Sequence, residues 1–137
     1  MNISELLQSG SNVLKLSKIE THQLDSELVL SNLLKKQREN LIIDLNQKVS
    51  ETTVLNFEKL INRRAKREPL AYILRNKEFW SKDFLVNRNT LIPRPETELL
   101  CENIIKIFIN KKLYMLDMGT GSGCILLSIL TELKKAK

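Results

Sequence analysis

The sequence predicts an α + α/β chain: an N-terminal helical bundle over residues 1–68, a β-hairpin linker over 69–95, and the incomplete start of a doubly wound α/β domain over 96–137. Three observations carry this reading. Apolar residues recur at helical spacing through the first 67 residues. Short runs rich in aromatic and branched residues, separated by turn-like triplets, come next. The chain then reaches Leu116-Asp117-Met118-Gly119-Thr120-Gly121-Ser122-Gly123-Cys124-Ile125, which reads as strand, glycine loop and helix.

The first helix begins at a capping box. Asn2 and Glu5 have the spacing that satisfies two free N–H groups reciprocally, and Ile3, Leu6, Leu7, Val13 and Leu14 keep helical spacing behind them. Gly10 weakens the middle of that helix. A second helix runs from about Thr21 to Lys36 on Leu24, Leu28, Leu30, Leu33 and Leu34, and a third covers Arg38 to Leu45. A fourth starts near Ser50, carries Val54, Phe57, Leu60 and Ile61, and stops by Glu68, because Pro69 pushes its predecessor out of the α region. Short connections between amphipathic helices favour antiparallel neighbours in a small bundle.

Composition sets the class. Of 137 residues, 42% are apolar and 28% charged, as in an ordinary globular protein. Residues 1–50 carry six basic and six acidic side chains, so the net +6 falls after residue 50 and points to two regions. Lys and Asn are abundant throughout, which makes composition bias a plainer source of the charge than a nucleic-acid partner. The cluster Arg63, Arg64, Lys66 and Arg67 suits the last turn of a helix and needs no partner there. It has no interleaved aromatic platform for a polyanion. His22 reads as a surface polar residue near a helix start. Cys101 and Cys124 are isolated and sit in apolar helical patterns, so they read as reduced core residues of a cytoplasmic protein. No metal-ligand spacing occurs. The start lacks a signal-peptide pattern and no apolar run approaches a membrane span.

Leu70–Leu74, Glu78–Trp80, Phe84–Val86 and Thr90–Ile92 have β character, with Ser81-Lys82-Asp83 and Asn87-Arg88-Asn89 as separators. Ile92-Pro93-Arg94-Pro95-Glu96-Thr97 is extended, since each proline fixes its own φ and restricts the residue before it. Pro95 suits a first helical position, and a helix from about Glu96 to Ile109 is expected to bury Leu99, Leu100, Ile104, Ile105 and Phe108. A strand over Leu113–Asp117 leads to the glycines, and Ile125–Leu130 opens a buried helix.

The glycine spacing selects the cofactor. A dinucleotide loop has glycines at the first, third and sixth positions. Here Cys124 holds the sixth place, and Gly119, Gly121 and Gly123 alternate after the acidic Asp117. This resembles the loop of S-adenosylmethionine-dependent methyltransferases, which cradles the methionine and ribose of the cofactor. Alternate glycines permit positive φ and close approach to the main chain, and the loop ends at a helix N-terminus.

Arg63-Arg64, Glu68-Pro69-Leu70-Ala71-Tyr72-Ile73-Leu74, Glu78-Phe79-Trp80, Leu91-Ile92-Pro93-Arg94-Pro95-Glu96-Thr97-Glu98 and the glycine loop stand in the order and spacing of the HemK/PrmC family. Those are peptide chain release factor glutamine methyltransferases. The resemblance covers essentially the whole chain, most specifically in the Ile-Pro-Arg-Pro-Glu-Thr block. It implies a helical domain that helps grip the release factor, a hairpin linker and a class I, Rossmann-like methyltransferase domain. It implies methyl transfer from S-adenosylmethionine to the glutamine amide nitrogen of the Gly-Gly-Gln motif of class 1 release factors. Gly119, Thr120, Gly121, Ser122 and Gly123 would form the cofactor loop, with Asp117 closing the strand beside it. Pro93, Arg94, Pro95, Glu96 and Thr97 would lie near the mouth of the pocket.

Two departures from the family bear on this. Glycine is usual where this chain has Arg67, Arg75 and Ser81, and the bulk of the two arginines is expected to forbid positive φ there. The family's Asn-Pro-Pro-Tyr substrate motif does not occur in the 137 residues, nor does an acidic residue about 20 positions after the loop to read the ribose. The expectation is therefore the front part of a methyltransferase, inactive by itself, with the remainder of the domain as its partner. Ile104, Ile105, Phe108, Leu116, Ile125, Leu127 and Leu130 are expected to lack packing partners. The alternative is a non-enzymatic helical module, or a decayed remnant, that docks to a release factor. Neither a membrane nor a nucleic acid is expected as partner.

Overall fold

The computed structural model describes residues 1–136; Lys137, the last residue of the expected third region, lies outside the described residues. The chain forms two compact units, Met1–Leu74 and Arg75–Lys137.

The first unit is helical: α1 (Ile3–Leu16), α2 (His22–Leu34), α3 (Arg38–Ile43), α4 (Glu51–Ala65) and α5 (Leu70–Leu74). The capping box is present, with the Glu5 N–H donating to Asn2 Oδ1 at 2.8 Å and the Asn2 N–H to Glu5 Oε2 at 3.0 Å. Ser50 caps α4 by accepting from the Thr53 N–H at 3.2 Å. The first free N–H groups of α1 find carbonyls on the segment after α3: Ile3 donates to Gln47 and Ser4 to Leu45, both at 3.0 Å. Ile3, Leu6, Gly10 and Leu14 form the inward stripe of α1. They meet Val29 and Leu30 of α2, Leu41 of α3, and Phe57 and Ile61 of α4 in one core. Gly10 is the point of closest approach: a Cβ there would lie 2.6 Å from Phe57 Cζ and 2.8 Å from Ser26 Oγ. Ser26 spends its own proton on the Leu7 carbonyl at 3.1 Å.

Several expectations are corrected in this unit. Leu70–Leu74 is a helical turn and not a strand. The N–H groups of Tyr72 and Ile73 donate to the Pro69 carbonyl, so proline opens the turn, as its missing N–H allows. His22 is half-buried, its Nδ1 2.8 Å from Ser11 Oγ. Arg63 and Arg64 are not a solvated helix end. Arg63 makes a two-pronged pair with Glu68, at 2.7 and 2.8 Å, whose hydrogen bonds raise the guanidinium pKa above its ordinary value. Arg64 reaches Asp25 on α2 at 2.6 Å and the Glu68 carbonyl at 3.1 Å.

Arg67 and Arg75 also overturn an expectation. Both adopt positive φ, at 69° and 57°, and Ser81 sits at 52°. Their side chains do not forbid the conformation; they make it cost about 1–2 kcal/mol each. Arg67 recovers part of that by donating to the Ser17 and Lys18 carbonyls at 3.3 Å, at the end of α1. Arg75→Gly and Ser81→Gly are each expected to stabilise the chain by about 0.5–1 kcal/mol, read from urea midpoints. Arg67→Gly is expected to gain less, because it also removes those two contacts.

The second unit pairs β1 (Asn76–Phe79) with β2 (Lys82–Leu85) in an antiparallel hairpin, Asn76 opposite Leu85 and Phe79 opposite Lys82. The register leaves Trp80 and Ser81 as a two-residue turn with φ of 53° and 52°, so the turn sits one residue earlier than the Ser81–Asp83 separator suggests. Phe79 and Phe84 pack edge-to-face, with centroids 6.3 Å apart. Thr90–Ile92 forms no strand. A 3-10 turn over Pro95–Thr97 leads into α6 (Glu98–Phe108), and α7 spans Cys124–Glu132. Phe79, Phe84, Cys101, Cys124, Ile129 and Leu133 make the core. Along α6 the stripe turned to that core is Cys101, Ile104, Ile105 and Phe108, while Leu99 and Leu100 stand exposed, against expectation.

Leu113–Asp117 pairs with no strand among the described residues. A strand exists only through a neighbour's backbone, and the two hairpin strands pair only with each other. Among the described residues, the single strand expected to begin the incomplete class I domain is left unpaired. Leu116 and Leu127 stand 85% and 52% exposed, as expected of residues lacking partners; Ile104, Ile105, Phe108 and Ile125 do pack against the core. The α7 helix is half-covered and not fully buried: Cys124, Ser128 and Ile129 point inward. Among the described residues, no helix is long and apolar enough to cross a membrane.

Candidate cofactor-binding loop

The loop is built as its glycines require. Gly119, Gly121 and Gly123 have φ of 84°, 57° and 79°. Around Gly119 a Cβ would meet nothing within 4 Å, so glycine is needed there for backbone conformation and not for space. Gly123 is constrained twice: it is the left-handed N-cap of α7, and a Cβ would lie 3.3 Å from a Leu127 methyl. The turn closes on itself, with the Gly123 N–H donating to the Thr120 carbonyl at 2.8 Å, and α7 opens as Leu127 donates to the Gly123 carbonyl at 3.0 Å.

Two polar atoms at this loop are buried and unpartnered: Asp117 Oδ2 and Ser122 Oγ. A buried acceptor without a hydrogen bond costs about 1–3 kcal/mol and calls for a partner. A carboxylate oxygen before three left-handed glycines, with a hydroxyl between the second and third, suits a small molecule carrying an ammonium and hydroxyl groups. The acceptor and hydroxyl suit the methionine end of S-adenosylmethionine, for which Asp117 and Ser122 would be the polar contacts and Gly119 to Gly123 the uncovered main chain. Thr120 and Met118 are exposed on the rim.

Arg94, Pro95, Glu96, Thr97 and Leu100 line a wide open depression. Pro93 is buried beside it. Cys101 and Cys124 are both buried free thiols. Burial, then the neighbouring Cys124 and Glu98, push the Cys101 pKa up. A raised folded-state thiol pKa favours the fold below the unfolded thiol's value of about 8.5 and is lost as pH climbs past it. Cys101 is accordingly expected to react with a disulfide reagent at least tenfold more slowly than in urea at pH 8, as stopped-flow absorbance would show.

Local pattern shows the capping box, the glycine loop and the Pro-Arg-Pro segment. It does not show Trp80. Its N–H donates to Glu98 Oε1 at 2.8 Å and its indole Nε1–H to Glu132 Oε1 at 3.3 Å, partners 18 and 52 residues away.

Residues 5–74 match a family model described as the PrmC N-terminal domain. A protein of Coxiella burnetii named release factor glutamine methyltransferase is 43% identical over 132 residues, covering 96% of this chain and 45% of its own length. A Haemophilus influenzae protein of the same name is 36% identical, with 97% and 48% covered. A Rickettsia typhi protein named bifunctional methyltransferase is 36% identical over 96% of this chain and 29% of its own length. The chain thus spans less than half the length of these curated relatives.

Proposed function

The chain belongs to the HemK/PrmC family, and from that premise we propose that its second unit carries the S-adenosylmethionine loop of a release factor glutamine methyltransferase. The observation that carries the reading is the pair of orphaned buried atoms, Asp117 Oδ2 and Ser122 Oγ, at a loop whose three glycines are all left-handed. When bound, the cofactor supplies an electrophilic methyl group. Asp117 offers a carboxylate to a cationic group of the ligand, Ser122 a hydroxyl, and the glycine loop its bare main chain. Residues 93–97 border the same reaction space in this reading. The proposed acceptor is the glutamine amide of the Gly-Gly-Gln motif of a class 1 release factor. An amide nitrogen is a weak nucleophile and has to be oriented at the methyl group with its N–H groups satisfied. No Asn-Pro-Pro-Tyr motif occurs among the 137 residues to do this, so the chain by itself is proposed to bind cofactor without methylating.

Calorimetry tests the reading. The chain is expected to bind S-adenosylmethionine, and Asp117→Ala to weaken it at least tenfold, since a charge-assisted hydrogen bond is worth about 1.5–3 kcal/mol. Equal affinity in the two proteins would remove Asp117 from the site. A second reading has its own support: the first unit closes a complete core of its own and by itself matches the family's N-terminal domain. In that reading the bundle docks to a release factor without chemistry. Retention of a release factor on the immobilised chain, with no S-adenosylmethionine bound at millimolar concentration, would favour it.

A further inference from the structure

We propose that Trp80 is a positioning residue, the joint that holds the two sides of the candidate cofactor pocket at fixed separation. This rests on the cofactor reading above and deepens it. Trp80 has φ of 53° in the first place of a two-residue turn whose two φ values are both positive. Asn-Gly is the relaxed choice for such a turn, and a bulky aromatic residue there is strained. Strain held at one residue calls for something its side chain does. Here the backbone N–H binds Glu98, in the first turn of α6, directly after the Pro93–Thr97 segment. The indole N–H binds Glu132, the last residue of α7, whose first turn is the end of the glycine loop. A carboxylate in the last turn of a helix opposes the helix dipole, so Glu132 is unfavourable where it stands unless a donor meets it. The indole is that donor. The α7 helix has nine residues and moves as one rod, so fixing its last residue fixes the direction of its first. Trp80 therefore ties the start of α6, which follows the Pro93–Thr97 segment, to the end of α7, whose start closes the glycine loop.

Amide exchange of the full chain tests this without cofactor. Trp80→Phe keeps an aromatic ring and the backbone donor but removes the indole N–H; Glu132→Ala removes its acceptor, and Glu132→Gln restores one. Trp80→Phe and Glu132→Ala are expected to speed exchange of the hydrogen-bonded Gly123 and Leu127 amides about tenfold while the first unit keeps its protection, and Glu132→Gln to return most of it. Trp80 is the single tryptophan, so its emission also reports loss of the contact, as a red shift in Glu132→Ala that is absent in Glu132→Gln. Unchanged exchange at Gly123 and Leu127 in Trp80→Phe, or a Glu132→Gln variant as loose as Glu132→Ala, would overturn the proposal. Titration with S-adenosylmethionine separates the two readings. If the wild-type chain binds and Trp80→Phe binds equally with unchanged exchange, positioning fails and the cofactor loop stands. If exchange responds as expected but the wild-type chain does not bind, the cofactor reading fails and the joint stands.

Discussion

Gly10→Ala is expected to destabilise the helical unit by about 1–3 kcal/mol, the opposite of what the change does in an ordinary helix. In an exposed helix interior, alanine gains about 1 kcal/mol over glycine. Here the added methyl would sit 2.6 and 2.7 Å from two ring carbons of Phe57 and 2.8 Å from Ser26 Oγ, distances no real Cβ keeps. The obstruction comes from two other helices, α4 and α2, and neither gives easily. The Phe57 ring is fully buried among Ile3, Leu6 and Ile61, and Ser26 is held to the Leu7 carbonyl. The strain therefore exceeds the propensity gain, and the midpoint should fall by roughly 4–8 °C per kcal/mol for a unit of this size. Urea unfolding checks it. Combining Gly10→Ala with Phe57→Leu should cost less than the sum of the two, because the smaller side chain makes room for the methyl.

The second large effect is at Arg64. Arg64→Met is expected to cost about 3–5 kcal/mol, because it leaves the Asp25 carboxylate, whose side chain is only 5% exposed, without its cation. It also removes the donor to the Glu68 carbonyl. The size of the loss reflects the stranded charge more than the net worth of the pair. Asp25→Leu together with Arg64→Met should therefore recover most of the stability. Arg64→Lys should fall between, since an ammonium keeps the charge but cannot serve Asp25 and the Glu68 carbonyl with the same fork. Chemical denaturation of the three variants measures all of this. A double variant as unstable as Arg64→Met would show that the pair stabilises the fold beyond satisfying itself.

These two sites also show what the sequence makes legible. Helix starts are written locally: Asn2 with Glu5, and Ser50, cap where their spacing says. Gly10 reads as a weakness in the sequence and proves to be a crossing point, because what lies opposite belongs to residues 26 and 57. The Arg63–Glu68 pair spans five residues and was within reach of pattern; Arg64–Asp25 spans 39 and was not. Leu70–Leu74 looked extended by its aromatic and branched residues, yet Pro69 before it was the signal of a helical start. Arg67 and Arg75 show that packing can impose positive φ on a residue that disfavours it. The strand expected at Leu113–Asp117 carries the right residues, but a strand depends on a partner that local sequence cannot supply. The backbone of the glycine loop is legible because alternate glycines mark places where positive φ is permitted, and all three adopt it. The orphaned oxygens of Asp117 and Ser122 depend on how the loop buries them, which local pattern does not carry.

Residues 117–123 are proposed to form a cofactor loop. Titrating the nitrogen-15-labelled chain with S-adenosylmethionine, and following amide shifts by two-dimensional nuclear magnetic resonance, tests it most directly. The expected result is saturable movement of the Gly119, Gly121, Ser122 and Gly123 amides, with those of α1 to α4 unmoved. Silence of the loop amides at millimolar cofactor, or movement confined to the helical unit, would contradict it.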